Sequence, residues 1–116
     1  MNGIVFFGTN RLEAVIDYYL DRFDAKIWLE QPDCTIIRLG TLLLGFCTRD
    51  RPDTEGTITI VTGTMAEVDA LFEAIDDPDI ESPIENDRYD IYHFYTEDPE
   101  GRNVEVQTFL HDIEPP

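Results

Sequence analysis

The sequence repeats one pattern twice, and this repeat constrains the fold more than any other feature. A buried-strand pattern from Ile4 to Phe7 leads into Gly8-Thr9, and Thr59 to Thr64 mirrors it, including the Gly-Thr step. An amphipathic helical stripe follows each copy, and three more strand patterns follow each helix. Each half alone would leave one sheet face bare, so we expect the halves to lie side by side. The sequence predicts an α+β fold of two βαβββ units within one domain.

The predicted boundaries divide the chain into two units and a connector. The first unit covers residues 3–48 and the second covers residues 57–110. Residues 49–56 are polar, charged and contain Pro52, which is typical of a linker. Residues 111–116 form a tail. Within the units, the remaining strand patterns cover residues 25–30, 35–38, 42–47, 80–84, 89–95 and 104–110.

Capping boxes predict where both helices begin. Asn10 is followed three residues later by Glu13, and Thr64 is followed in the same way by Glu67. In such a pair each side chain can accept a hydrogen bond from an unpaired N–H group of the first helical turn. The second helix is predicted to end at Asp76-Asp77-Pro78, because proline cannot continue it.

The charge is extreme for a chain of 116 residues. It carries 25 acidic and 8 basic residues, which gives a formal net charge of −17, and Lys26 is the only lysine. Such a surface repels nucleic-acid phosphates and anionic lipids, so we expect no nucleic-acid partner and no membrane partner. The scarcity of lysine indicates a halophilic protein of a salt-rich cytoplasm, where ions screen self-repulsion. An ordinary acidic protein is the alternative.

Two further features bear on the cellular compartment. Cys34 and Cys47 lie in separate apolar patterns without metal-binding or redox spacing, so we expect two free, buried thiols. The sequence has no charged leader and no apolar stretch of membrane-spanning length. We therefore expect a cytoplasmic location.

The segment Asp98-Pro99-Glu100-Gly101, followed by Glu105, is the motif that points to a family. Turn chemistry alone predicts a hairpin, because Pro99 has a suitable fixed φ and Gly101 accepts a positive φ. Together with the repeat, the segment resembles the last hairpin of the vicinal-oxygen-chelate superfamily, which includes glyoxalase I, extradiol dioxygenases and the fosfomycin- and bleomycin-resistance proteins. The resemblance covers nearly the whole chain. It implies a partly open, eight-stranded barrel-like sheet around a cleft, with one helix outside each half; a generic α+β sandwich is the alternative.

In the metal-dependent members of that superfamily, side chains from equivalent strands of both halves hold one divalent ion. The resemblance places one such ligand at Glu105. The other positions carry no donor or a weak one: Gly3 or Ile4, Leu44 or Gly45, and Thr57 or Thr59. One carboxylate does not retain a transition metal, because affinity comes from several ligands acting together. We therefore expect no metal and no other cofactor, and a bound divalent metal is the less favoured alternative.

His93 and Glu105 are the candidate catalytic residues, because they lie on the two arms of the last hairpin. If both face the cleft, the carboxylate orients the imidazole, and the pair can act in acid–base catalysis or anchor a polar ligand. Strand alternation could instead place them on opposite faces, since the register is undecided by sequence. The candidate ligand-binding residues are Trp28 and Tyr92, as aromatic strand residues, and Arg38, which stands alone in an apolar strand.

Three functions are compatible with the sequence. The first is a metal-free protein, similar to glyoxalase and bleomycin-resistance proteins, that binds a small organic molecule in the cleft between the repeats. The second is a metal-dependent glyoxalase-type lyase or isomerase, or an extradiol-type dioxygenase, with Glu105 as one ligand. The third is a non-catalytic interaction scaffold. In each case a homodimer is expected, because the resemblance implies that single-module relatives pair their sheets.

Overall fold

The computed structural model describes all 116 residues and contains two βαβββ units, as the sequence predicts. The strands form two separate four-stranded sheets, and no sheet closes into a barrel. One compact unit contains residues 1–55 with 98–101, and the other contains residues 56–97 with 102–116. The elements in chain order are β1 (Ile4–Thr9), α1 (Leu12–Phe23), β2 (Lys26–Glu30), β3 (Cys34–Leu39), β4 (Leu42–Thr48), β5 (Thr57–Val61), α2 (Met65–Ile75), β6 (Ile84–Asn86), β7 (Ile91–Glu97) and β8 (Asn103–Phe109).

In the first unit the strand order is β1-β4-β3-β2, with β1 parallel to β4 and the other pairs antiparallel. Helix α1 covers one face, where the Tyr19 ring stacks on Phe46 at 5.5 Å between centroids. Phe7 stacks on the same Phe46 ring at 5.7 Å. Tyr19 and Phe46 are completely buried. This aromatic stack is the centre of the first core.

In the second unit the strand order is β5-β8-β7-β6, with β5 parallel to β8. Helix α2 covers one face, where Phe72 meets Phe94 edge to face at 5.4 Å. Val104 and Val106 are fully buried under it. Because side chains alternate along a strand, the neighbours of these residues on β7 and β8 point to the opposite face.

The two helices begin differently. The predicted cap of α2 is confirmed: the Thr64 side chain accepts a hydrogen bond of 3.1 Å from the backbone N–H of Glu67. The predicted cap of α1 is wrong, because Arg11 holds the N-cap position and supplies no side-chain hydrogen bond. The backbone N–H of Asn10 instead donates to a carboxylate oxygen of Glu100, at 3.1 Å. At 12 and 11 residues, both helices fall short of the length that spans a bilayer.

The prediction of two free thiols is wrong, because Cys34 and Cys47 form a disulfide. The two residues stand directly opposite each other on the antiparallel strands β3 and β4. The Thr48 N–H donates to the Asp33 carbonyl at 2.8 Å, so the adjacent cysteine pair occupies a non-hydrogen-bonded position, where side chains are closest. The bond depends on the strand register, which joins residues 13 apart in sequence.

Candidate functional site

A polar cluster lies on the face of the second sheet that α2 does not cover. The β7–β8 register places Tyr95 opposite Glu105 and His93 opposite Gln107. These four side chains share one face, because residues two apart on a strand point the same way. The parallel strand β5 adds Thr59, which stands opposite Glu105.

His93 and Glu105 form a buried, hydrogen-bonded pair. His93 Nδ1 lies 2.6 Å from Glu105 Oε2, and the two residues are 7% and 8% exposed. The other carboxylate oxygen, Oε1, accepts hydrogen bonds from Thr59 Oγ1 at 2.9 Å and Gln107 Nε2 at 3.2 Å. Three partners therefore hold the carboxylate in place. Since Nδ1 is engaged, Nε2 is the ring nitrogen of His93 that is left for a ligand.

A cavity of about 340 Å³ opens beside this pair. Tyr89, Ile91 and Phe109 contribute apolar wall, and Tyr95 contributes a hydroxyl. Partial burial, followed by the negative charge of Glu105 and a hydrogen bond to it, raises the pKa of Tyr95. The Tyr95 hydroxyl thus interacts with Glu105, and its oxygen can still accept a hydrogen bond from a ligand. A cavity of this volume and mixed lining suits a small organic molecule.

The predicted ligand-binding residues do not join this cluster. Tyr92 points to the helix side of β7, where its hydroxyl donates a hydrogen bond of 2.6 Å to Asp69 on α2. That hydrogen bond, with some desolvation, raises the pKa of Tyr92 to about 12. Trp28 and Arg38 belong to the first unit, on β2 and β3, and do not line this cavity.

Trp28 occupies a bulge of the edge strand β2, where the pairing with β3 slips by one residue between Ile27 and Leu29. Its side chain remains half exposed at 46%. Arg38 is exposed on β3 opposite Lys26. The prediction named Thr59 only as a weak metal-ligand position, and it missed the cluster residues Tyr95 and Gln107. These two lie two residues beyond His93 and Glu105, a spacing that places them on the same face of a strand.

No family model and no curated protein matches the sequence. Solved structures do match. A glyoxalase/bleomycin resistance protein/dioxygenase family enzyme from Burkholderia phytofirmans PsJN has a TM-score of 0.79 at 17% identity, over 92% of this chain and 97% of that one. A lactoylglutathione lyase from Agrobacterium tumefaciens has a TM-score of 0.71 at 23% identity, over 93% and 91%. A glyoxalase/bleomycin resistance protein/dioxygenase from Alicyclobacillus acidocaldarius has a TM-score of 0.73 at 17% identity, over 97% and 93%.

The chain has the vicinal-oxygen-chelate fold. The resemblance of the last hairpin and of the repeat is thus confirmed at the level of the fold. At these identities the similarity extends to the architecture and leaves the activity to be argued from the residues themselves.

The positions that the resemblance implies for metal ligands lie at equivalent places in the two units. Phe6 and Thr59 each stand six residues before the first residue of the following helix, and both lie on the face away from it. Phe6 pairs with Gly45 across β1 and β4 as Thr59 pairs with Glu105 across β5 and β8. The expected first-strand position near Gly3 or Ile4 is therefore corrected to Phe6.

These positions do not fit a transition metal. Phe6 and Gly45 have no donor atom, and a Cβ atom added to Gly45 would overlap the Phe6 ring. In the second unit, Thr59 already donates its hydroxyl to Glu105. The structure contains no group of three or more His, Cys, Asp or Glu residues that could hold a metal ion. One carboxylate and one hydroxyl are too few ligands to retain a divalent transition-metal ion.

Proposed function

We propose that the protein functions like a glyoxalase/bleomycin-resistance protein without a resident metal ion, and that it binds a small organic molecule at the His93–Glu105 pair. The observation that carries this proposal is the buried contact of 2.6 Å between the two side chains, at the wall of a cavity of about 340 Å³. An ionised carboxylate is costly to bury, so a pair with this degree of burial requires the compensation seen here. Thr59 and Gln107 supply that compensation.

The cavity lining indicates the kind of ligand. Tyr89 and Phe109 offer aromatic surface, which favours a planar or otherwise apolar body. His93 Nε2 and the Tyr95 hydroxyl offer one hydrogen-bonding group each, two residues apart on the same face of β7. A small molecule with an aromatic or apolar body and a hydroxyl or carbonyl group satisfies both parts of the lining.

The same arrangement can also move a proton. In the tautomer with the proton on Nδ1, Glu105 accepts a hydrogen bond from the Nδ1–H of His93, and Nε2 keeps a lone pair toward the ligand. In that tautomer His93 can take a proton from a bound hydroxyl or from a carbon next to a carbonyl. Glu105 then faces the imidazolium and stabilises its charge. Glu105 thus positions His93 and holds it in the tautomer that can act as a base.

Nuclear magnetic resonance of the imidazole groups tests this proposal. The chain has only two histidines. His111 is exposed and absent from the cavity wall, but its ring contacts Phe109, which lines the cavity, at 5.6 Å between centroids. Phenol and benzoate at millimolar concentration should therefore shift the His93 ring signals more than those of His111. Cyclohexanol should have a smaller effect, because it lacks the aromatic face. If none of these three compounds shifts the His93 signals, the proposed ligand site at the His93–Glu105 pair is wrong.

The metal-dependent alternative has one observation in its favour: Glu105 stands at a ligand position of the fold, beside Thr59. Elemental analysis of the purified protein separates the two functions. We expect substoichiometric zinc, iron and manganese, and no change in metal content in a Glu105→Gln variant. One tightly bound ion per chain that is lost in Glu105→Gln would transfer the proposal to a metal-dependent lyase or dioxygenase.

We further propose a halophilic protein of a salt-rich cytoplasm that forms a homodimer and has no nucleic-acid or membrane partner. The chain has 25 acidic and only 8 basic residues, which supports its halophilic character and the absence of nucleic-acid and membrane partners. Exposed apolar side chains such as Phe6 and Ile84, at 51% and 60%, support an association between copies. Sedimentation and thermal unfolding at high and low salt test the homodimer and the halophilic character. A monomer at all salt concentrations, with a salt-independent melting temperature, would contradict them.

A further inference from the structure

We propose that the Cys34–Cys47 disulfide is a redox-active site for small thiols that carry a negative charge. A cavity of about 760 Å³ in the first unit has both half-cystines in its wall, together with Arg49 and Arg51. It is distinct from the His93 cavity, with which it shares no lining residue. Its volume is that of a small-molecule site.

The position of the disulfide decides which reductants reach it. Cys47 follows Phe46 on β4, and Phe46 packs against Tyr19 of α1, so Cys47 points to the opposite face of the sheet. Cys34 and Cys47 are only 9% and 5% exposed, although both line the cavity. A thiol of a few heavy atoms can enter the cavity and approach a sulfur atom. A folded reductase would have to insert its cysteine into the same space.

The charges beside the disulfide favour a negatively charged thiol more than the rest of this acidic chain does. Arg49 and Arg51 are two of only 8 basic residues in a chain with a net charge of −17. Asp50 and Asp53 also line the cavity, so the two arginines balance two carboxylates there, whereas the chain as a whole is strongly negative. Arg49 lies 3.7 Å from Asp33, which is a long and exposed contact. Arg49 Nη1 also donates a hydrogen bond of 2.7 Å to the Thr48 carbonyl, so the other N–H groups of the guanidinium are the ones that can meet a carboxylate or sulfonate on an entering thiol.

Reduction of the Cys34–Cys47 disulfide consumes two molecules of the small thiol. A thiolate attacks one sulfur of the disulfide, the S–S bond breaks, and a mixed disulfide forms while the other cysteine leaves as a thiolate that takes a proton from water. A second thiol then attacks the mixed disulfide and releases the oxidised small thiol. The protein gains two electrons and two protons, and two small thiols are joined by a new disulfide bond.

The cavity wall persists when the disulfide opens. The loop after β4 is attached to β1 by backbone hydrogen bonds, from Arg49 N–H to the Thr9 carbonyl at 2.8 Å and from Asp53 N–H to the Gly8 carbonyl at 2.9 Å. The β3–β4 ladder also continues on the side of the disulfide toward the turn, through Thr35–Phe46 and the following pairs. We therefore expect the oxidised and reduced forms to share one fold, which makes the exchange reversible.

Rates of mixed-disulfide and dithiol formation test the proposal on the folded full-length chain. The probes are 2-mercaptoethanesulfonate, which is negatively charged, and 2-mercaptoethanol, which is neutral and of similar size. Mass spectrometry of acid-quenched samples follows both products at the lowest salt concentration that keeps the protein folded. The ratio of the two rates removes differences that affect both thiols equally.

In the Arg49→Gln/Arg51→Gln variant, the ratio of the sulfonate rate to the neutral rate should fall, by about fivefold for two unscreened charges within roughly 8 Å in water, and by less as added salt screens them. In the Arg22→Gln/Arg88→Gln control, which has the same net charge, the ratio should stay within about 1.3-fold of the wild-type value, because distant charges are screened. If the double variant fails to fold, Arg51→Gln alone should lower the ratio about twofold. Resistance of the folded protein to both thiols, or an equal fall in the variant and the control, would overturn the proposal.

Discussion

The Tyr19 hydroxyl donates a hydrogen bond of 2.9 Å to Asp98 Oδ2, although 79 residues separate the two in sequence. Both groups are buried, with Tyr19 at 0% and Asp98 at 5% exposure. Asp98 is the first residue of the turn whose sequence resembles the superfamily signature, and this turn belongs to the first compact unit. The signature aspartate therefore accepts a hydrogen bond from α1 and lies outside the His93 cavity.

The rest of that turn also forms hydrogen bonds with the residues that lead into α1. Glu100 accepts hydrogen bonds from the Thr9 hydroxyl and from the backbone N–H of Asn10. The Pro99 carbonyl accepts one from Arg11 Nη1 at 2.7 Å. A carboxylate near the start of a helix also interacts favourably with the helix dipole. The motif is thus explained by structure, and only Glu105, further along β8, belongs to the candidate site.

Replacing Tyr19 by phenylalanine should lower the free energy of unfolding by about 1–3 kcal/mol, because buried Asp98 loses a hydrogen-bond donor. Denaturant unfolding at constant salt measures the change. Tyr89→Phe is the matched control, since Tyr89 is 59% exposed, and its effect should stay within about 0.5 kcal/mol. Equal stabilities of the two variants would show that the Tyr19–Asp98 hydrogen bond contributes nothing.

Replacing Glu105 by alanine should lower the free energy of unfolding more than replacing it by glutamine. Glu105→Ala removes a partner of His93, Thr59 and Gln107 at once, and should destabilise the fold by about 3 kcal/mol. Glu105→Gln keeps the side-chain length and an oxygen for Thr59, so its cost should be smaller. Chemical unfolding measures both, and the imidazole nitrogen shifts of His93 report the tautomer. A Gln variant as unstable as the Ala variant would contradict this account of the pair.

Alkaline pH should destabilise the protein partly through Tyr92. Its pKa is about 12 in the folded protein, because of the hydrogen bond to Asp69, and near 10 in the unfolded chain. The folded state therefore holds this proton more tightly, so the contribution of Tyr92 is fully present below about pH 10 and is lost as the pH rises toward 12.

Tyr92→Phe should flatten the fall of stability over this pH interval. The tyrosinate absorbance of the folded protein should also lose one phenol that titrates late. Tyr89→Phe, which leaves the Asp69 contact intact, should retain that late phenol. Tyr95, whose pKa is also raised, should still titrate late in both variants. An unchanged number of late phenols in Tyr92→Phe would therefore assign the titration to another tyrosine.

Reducing the disulfide should lower the free energy of unfolding by about 2–3 kcal/mol, because the bond closes a loop between residues 13 apart and restricts the unfolded chain. Unfolding curves with and without reductant measure this difference. The Cys34→Ala/Cys47→Ala variant should show no response to reductant. A response of that variant would place the reductant effect somewhere other than in the disulfide.

Features that depend on neighbours in sequence could be predicted. The cap of α2 joins Thr64 to Glu67, three residues later, and the prediction was confirmed. The cap of α1 could not be predicted, because its acceptor, Glu100, lies 90 residues from Asn10. The repeated Gly-Thr step misled in the same way. Thr9 lies within β1, whereas Thr64 caps α2.

Features that depend on strand register could not be predicted. The register decides that His93 and Glu105 share a face and that Tyr92, one residue from His93, does not. It also decides that Cys34 meets Cys47. Register emerges from the packing of the whole sheet against its helix, so residue types alone leave it open. The strand predicted from residue 80 begins only at Ile84 for a related reason, since pairing with β7 begins there.

The contact between Phe6 and Gly45 has a consequence for how a metal site could arise on this scaffold. A carboxylate side chain at position 45 would collide with the ring of Phe6. A metal-binding side chain at position 6 alone would add one ligand, while position 45 would still have none. Recovering both donors therefore takes two substitutions together, and each single step on the way is either obstructed or without reward. Descendants that keep this aromatic–glycine pair would therefore rarely regain a metal site by single substitutions.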